Sequence, residues 1–216
     1  MERVIVARVE DSTRHESVVR WARQEATRRG LALRVAHHAL PGGPDTAKLV
    51  VTGDPDDVML PACPVVLVPE VPAARLSGRP CAEIVLGVDA REPAQGAVDF
   101  AFDTARLWGV GLRAVHAWRF PSCAAELPFG IPEQDRAAWE DQEVQLLADA
   151  LRPWREKYPE VPVLEDVRLF TPAHALVRLS AGAGLVVVGR SSDHEPGPVL
   201  RALLSESLCP VAVVPT

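Results

Sequence analysis

Short apolar runs alternate with segments of helical periodicity over the second half of the chain. After residue 94 the apolar residues recur every three or four positions, which is typical of one buried helix face. The pattern predicts five strands, at residues 84–88, 112–118, 161–169, 185–188 and 211–214, and four helices, one on each side of residues 112–118 and two at residues 172–181 and 198–207. Val- and Ile-rich strands that are separated by helices indicate an α/β fold with a parallel sheet covered on both faces.

The first half of the chain repeats part of this pattern. Residues 5–10, IVARVE, match residues 84–89, IVLGVD, and the same offset aligns Gly30 with Gly109 and His37 with His116. Further along, LVVTG at residues 49–53 matches LVVVG at residues 185–189. Such internal similarity predicts two copies of one structural unit. We expect a degenerate first domain at residues 1–70, a Pro-containing linker at 71–80 and a complete domain at 81–216.

The first copy is shorter than the second. Only about ten residues separate its second strand from the apolar run at Leu49, fewer than a parallel crossover usually needs, so that strand is the least secure of those predicted. The connection from Gly53 to Cys63 contains two prolines and leaves no room for a full helix. With these helices missing, we expect one apolar sheet face of residues 1–70 to be uncovered by elements of its own, so that the second domain or another subunit should cover it.

Composition narrows the classes of function. The 216 residues are 48% hydrophobic and carry a formal net charge of -6, which disfavours a nucleic-acid partner. The sequence contains no apolar run long enough to span a membrane and no basic leader, so we expect a cytoplasmic protein. The four cysteines show no C-x-x-C spacing, so no metal site is predicted, and no Walker motif can be written.

Three segments of the second half carry a family resemblance. They are EIVLGVDAREPAQGAVDFAFDTARLWGVGLRAVHAW, LFTPAHALVRLSAGAGLVVVGR and VLRALLSESLCPVAVVP. They resemble the universal stress protein family, and the whole chain resembles its tandem form with a truncated first domain. The resemblance implies Rossmann-like sheets of strand order 3-2-1-4-5 and dimer-like pairing through the last strand. In one branch it also implies ATP at the carboxyl ends of the strands, which is where open α/β sheets bind small ligands.

The ATP-binding branch has an aspartate at the position of Asp89 and a loop motif, G-x2-G-x9-G-[ST], around the phosphates. Gly189 is retained here, but Ser192 replaces the second glycine, and Pro198, which has neither an amide hydrogen nor a hydroxyl, replaces the hydroxyl residue after Gly197. Only four residues separate Ser192 from Gly197 where the motif has nine. We therefore interpret the loop as degraded.

The remnant site consists of the residues that match the motif or adjoin it. They are Asp89, Val188, Gly189, Arg190, Ser192, Gly197 and Val199. Arg190, Arg201 and His194 offer side chains that bind phosphate in other proteins. Asp89 fits equally well an adenosine acceptor and a turn or cap residue. His116 is interpreted as a packed, hydrogen-bonded histidine, and the tryptophans as residues that pack helices or fill an interface.

No catalytic constellation is evident, so we expect a non-enzymatic binding or scaffold module of a stress response. No cofactor is expected, and self-association is expected through pairing of the two copies within the chain or in a homodimer. The first alternative is an adenine-nucleotide sensor with slow or no ATP hydrolysis. The second alternative is a regulator that binds a protein partner through the uncovered face of residues 1–70.

Overall fold

Nine strands and five α-helices make up the computed structural model, which describes residues 4–9, 15–37, 47–59, 62–70, 83–120, 131–169, 171–190 and 195–216. The first half contains β1 (Val4–Arg8), α1 (His15–Arg29), β2 (Ala32–Ala36), β3 (Ala47–Thr52), a 3-10 helix (Pro55–Met59) and β4 (Val65–Leu67). The second half contains β5 (Glu83–Gly87), α2 (Gln95–Trp108), β6 (Gly111–Trp118), α3 (Glu133–Lys157), β7 (Val163–Leu169), α4 (Pro172–Ser180), β8 (Leu185–Arg190), α5 (Pro198–Glu206) and β9 (Val211–Pro215).

The strands form one continuous sheet in the order β2-β1-β3-β4-β9-β8-β5-β6-β7. All neighbouring strands are parallel except β4 and β9, which pair antiparallel with Val65 opposite Val213. In the second half the order is the expected 3-2-1-4-5, and in the first half the place of the third strand is vacant among the described residues. The α/β fold is thereby confirmed. The division into two domains at residues 70 and 81 stays a prediction.

The strand at Leu49 is present and lies parallel to β1. An extended chain spans about 3.3 Å per residue, so the ten or so residues after β2 reach about 33 Å, twice the length of a five-residue strand. A helix is therefore not needed to bring the chain back to the start of β3.

Two glycines end the equivalent helices of the two halves. Gly30 and Gly109 have φ angles of 62° and 66°. This left-handed conformation strains residues with a side chain but suits glycine. The Gly109 N–H donates to carbonyl oxygens in the last turn of α2. The alignment of these two glycines in the sequence therefore corresponds to a shared helix stop.

One face of the sheet packs against α1, α2 and α3, and the other packs against α4, α5 and the 3-10 helix. On the second face the side chains of Val4, Val6, Val50 and Val65 in the first half are buried. The expectation of an uncovered apolar face on residues 1–70 was therefore wrong. Part of the reason is the 3-10 helix after β3, which brings the fully buried Val58 onto this face.

The two halves are joined through side chains on the first face. Glu25 of α1 is 1% exposed, and its carboxylate accepts hydrogen bonds from Arg29 in the same helix and from the indole N–H of Trp108 in α2. Arg29 also donates to Asp103 and Thr104 of α2. Trp108 thus fills an interface, as predicted, and this polar network holds α1 against α2.

No helix in the described part of the chain has the length and apolar character needed to span a lipid bilayer.

Candidate functional site

A cleft of about 940 Å³ opens at the carboxyl ends of the strands in the second half. It lies at the ends of β5 and β8, where the chain leaves adjacent strands toward opposite faces of the sheet. Such a switch point is where open α/β sheets bind small ligands. The cleft walls come from the ends of β5, β6 and β8, from the start of α2 and from Leu176 and Val199 of α4 and α5.

Asp89 follows β5 and lines the cleft with an exposed side chain. Its Oδ1 accepts a hydrogen bond of 3.0 Å from the backbone N–H of Arg91. This is the turn geometry that aspartate commonly stabilises after a strand. One carboxylate oxygen thus holds the turn, which agrees with the structural interpretation of Asp89, and its place in the lining is compatible with ligand contact.

Gly189 has a packing explanation. A Cβ atom on this residue would lie 2.4 Å from the Cβ of Ala94, at the start of α2, which is closer than two side-chain carbons can approach. The absence of a side chain therefore lets α2 sit directly on the end of β8. A glycine at this position is required whether or not a phosphate is bound nearby.

Arg190 does not belong to the described lining of the cleft. Its guanidinium donates to the backbone carbonyl of Met59, in the 3-10 helix of the first half. The residue thus connects the two halves of the molecule. Its assignment as a phosphate-binding residue stays a prediction. The hydrogen bond to Met59 is a structural role for the same side chain.

The remaining members of the predicted site are dispersed. Val188 and Val199 line the cleft, whereas Gly197 is an exposed residue immediately before α5 and is not part of the lining. Ser192 lies outside the described residues, as does His194. Of the seven predicted residues, the structure therefore gathers Asp89, Val188, Gly189 and Val199 around one cleft.

The start of α5 is poor in donors for an anion. Gly197 is its N-cap and makes no side-chain capping bond, and Pro198 occupies the first turn without an N–H group. The Arg201 guanidinium donates to the carbonyl of Pro196 at the same helix end. Glu195 is exposed just before it. These features weaken the helix-start amides as a phosphate site.

A buried polar cluster next to the cleft contains residues that the sequence interpretation missed. His116 of β6 is 2% exposed, as expected of a packed histidine, and its Nε2 lies 2.9 Å from Oε2 of Glu143 in α3. The other carboxylate oxygen of Glu143 binds the guanidinium of Arg91. The sequence does contain a signal for this cluster. Glu143 lies four residues from each of the apolar residues Trp139 and Leu147, so an acidic side chain shares the apolar face of the helix.

The ionisation of Glu143 follows from its partners. Burial by itself raises the pKa of this carboxyl group, but hydrogen bonds and attraction from Arg91 and His116 outweigh burial and leave the pKa below its ordinary value. The pKa of Arg91 is raised, chiefly by its hydrogen bond with Glu143. The cluster therefore contains a carboxylate at neutral pH.

The corresponding place in the first half is filled. At the ends of β1 and β3, Arg8 forms a 2.6 Å ion pair with Asp57, whose second oxygen accepts a hydrogen bond from Thr52. Asp57 is 3% exposed. By the repeat, Arg8 replaces Gly87 and Thr52 replaces Val188 of the cleft. An internal ion pair thus takes the space that the second half leaves open.

The cleft presents a mixture of charged, aromatic and apolar side chains. Its described lining includes Asp89, Glu92, Arg91 and Arg119, so acidic and basic groups are balanced, and Trp118 adds an aromatic wall. Serine, cysteine and lysine do not occur among those lining residues. In the described ranges no group of three or more His, Cys, Asp or Glu side chains is arranged to hold a metal ion.

Comparison with known proteins gives matches to a single family. The model of the universal stress protein family matches residues 82–215. The universal stress protein Rv1996 of Mycobacterium tuberculosis is 35% identical over 158 residues, which cover 69% of this chain and 48% of that protein. The chain thus spans about half the length of this curated relative.

One solved structure agrees in fold over nearly the whole chain. A universal stress protein from Archaeoglobus fulgidus superposes with a TM-score of 0.56 at 13% identity and covers 99% of this chain and 88% of its own. Another from A. fulgidus, solved in complex with dAMP, has a TM-score of 0.44 at 21% identity and covers 63% of this chain and 99% of its own. At 13% identity the likeness to the first of these structures concerns the fold alone.

Proposed function

We propose, because the chain belongs to the universal stress protein family, that it is a non-catalytic binding module of a stress response that does not bind ATP in the family's manner. A binding or scaffold role accords with the charged and aromatic lining of the cleft and with halves that are joined through α1 and α2. A cytoplasmic location is part of this proposal and rests on composition.

The observation that carries the proposal is the close packing of Gly189 against Ala94 at the start of α2. The glycine that would begin a phosphate loop is required by the contact with Ala94. Its retention is therefore no sign of a phosphate. The neighbouring Arg190 is engaged with Met59, and Pro198 removes an amide donor from the start of α5. Together with the shortened loop, these features support the loss of triphosphate binding.

Analysis of the purified protein for retained ligand tests this function. The protein is denatured, and the released small molecules are identified by mass spectrometry. We expect no stoichiometric adenine nucleotide in the released fraction. Recovery of about one adenine nucleotide per chain, abolished in the Asp89→Ala variant, would contradict the proposal, because such tight retention needs a working nucleotide site.

A second candidate function is an adenine-nucleotide sensor with slow or no hydrolysis. The cleft itself favours it, since about 940 Å³ at the switch point falls within the range of small-molecule sites and Asp89 borders the space. In this case the nucleoside would be the recognised part. Binding of adenosine, with no added affinity from phosphates, would support this candidate and leave the loss of the phosphate loop intact.

A further inference from the structure

The Nδ1 atom of His116 faces two backbone groups at equal distance. It lies 3.3 Å from the amide nitrogen of Ala90 and 3.3 Å from the carbonyl oxygen of Val88. The amide is a donor and the carbonyl is an acceptor. A ring nitrogen that lacks a proton can bond only the amide, and one that carries a proton can bond only the carbonyl. Val88 and Ala90 flank Asp89 on the cleft rim.

Glu143 decides which of these bonds forms. Its carboxylate oxygen accepts at 2.9 Å from Nε2 of the histidine, so in the neutral ring the single proton belongs on Nε2. Nδ1 then has a free lone pair directed at the Ala90 N–H.

The same carboxylate fixes the far end of the loop. Glu143 also binds the guanidinium of Arg91, and the backbone N–H of Arg91 donates to Asp89. The segment 88–91, which we name the Asp89 loop, is therefore attached to β6 through His116 and to α3 through Glu143. The backbone N–H of Val88 also donates to the carbonyl of Val115 in β6.

We infer that His116 and Glu143 are positioning residues for the Asp89 loop, with Glu143 holding His116 in the Nε2-protonated form so that Nδ1 accepts from Ala90. His116 belongs to the described lining of the cleft and Glu143 does not, and both act by fixing the rim of the cleft. The inference deepens the second candidate function, since a positioned Asp89 matters most when the cleft binds a small molecule.

Nuclear magnetic resonance tests the positioning without any ligand. The ¹⁵N shifts of the His116 ring and the exchange protection of the Ala90 amide are measured in the wild type and in Glu143→Gln, with Glu140→Gln as control. Glu140 is an exposed residue on the same helix, one turn away. We expect the Nε2 nitrogen to carry the ring proton in the wild type and control, and about fivefold or greater loss of Ala90 protection in Glu143→Gln.

A His116→Asn variant supplies a conservative rescue. Asparagine can place an amide oxygen near the position of Nδ1, so Ala90 should keep part of its protection. A role in packing alone would not be rescued by asparagine. A wild-type ring with its proton on Nδ1, or Ala90 protection that is unchanged in Glu143→Gln, would overturn the inference.

Calorimetric titration with adenosine separates this inference from the function on which it rests. We expect adenosine to bind the wild type and Glu140→Gln equally, and Glu143→Gln about fivefold more weakly. Equal binding to all three proteins would contradict the positioning role. If adenosine binds none of them, the nucleotide-sensor function fails, and the resonance measurements alone decide whether His116 and Glu143 position the loop.

Discussion

A Cβ atom on Gly189 would lie 2.4 Å from the Cβ of Ala94, so α2 rests directly on the end of β8. This contact changes the interpretation of Gly189. A glycine after a buried strand suggests a phosphate loop, but here helix packing requires it. The first residue of the apparent phosphate motif is therefore accounted for by the fold.

The Gly189→Ala variant should be destabilised by about 1–3 kcal/mol, because the added methyl group overpacks the contact with α2. Urea unfolding measures the change in the free energy of unfolding. Gly182→Ala is the matched control, since no heavy atom lies within 4 Å of a Cβ placed there and its φ is not positive. Equal stability of the two variants would contradict the packing role of Gly189.

The carboxylate of Glu25 should be a major determinant of the junction between α1 and α2. Glu25→Ala leaves the buried donors of Arg29 and Trp108 without this acceptor, so we expect a loss of about 3 kcal/mol in the free energy of unfolding. Gln24→Ala, at the neighbouring exposed position, should cost far less. Chemical denaturation of both variants measures the two losses. A loss in the free energy of unfolding of Glu25→Ala that is no larger than that of Gln24→Ala would show that the network is dispensable.

The stability contribution of Glu143 should depend on pH. Its pKa in the folded protein lies below the ordinary value of 4.5, so the folded state holds this proton less tightly than the unfolded chain. The contribution is therefore fully present above about pH 4.5 and is lost as the pH falls through the folded-state pKa. The stability difference between the wild type and Glu143→Gln should shrink over that interval. A constant difference in urea unfolding from pH 6 to about pH 3 would refute this expectation.

The chain should be a monomer in solution. Its two last strands, β4 and β9, pair with each other inside the chain, so neither is free to pair with a second copy. Size-exclusion chromatography with light scattering should give a mass near 23.4 kDa. A stable species of twice that mass at micromolar concentration would show that another surface drives self-association.

Much of the sheet could be predicted from local patterns. The apolar runs identify the strands of the second half, and the repeat that pairs Gly30 with Gly109 predicts matching helix ends. The strand at Leu49 was found from the same repeat, although its short connection argued against it. These features depend on residues close together in the sequence, where periodicity and turn chemistry are strong signals.

The errors and omissions concern contacts between distant segments. The uncovered face was predicted from missing helices, but a short 3-10 helix places Val58 on it. The pairing of Glu25 with Trp108 and of His116 with Glu143 depends on how helices meet the sheet, which no local pattern specifies. Only the acidic residue on the buried stripe of α3 pointed to the second of these pairs.

The central claim is that the cleft does not hold a triphosphate in the family's manner, and calorimetric titration with ATP and with adenosine tests it most directly. The account predicts that ATP binds no more tightly than adenosine, because the phosphates find no loop to hold them. ATP binding with a Kd on the order of 1 µM, about a hundredfold tighter than adenosine and lost in Asp89→Ala, would contradict it.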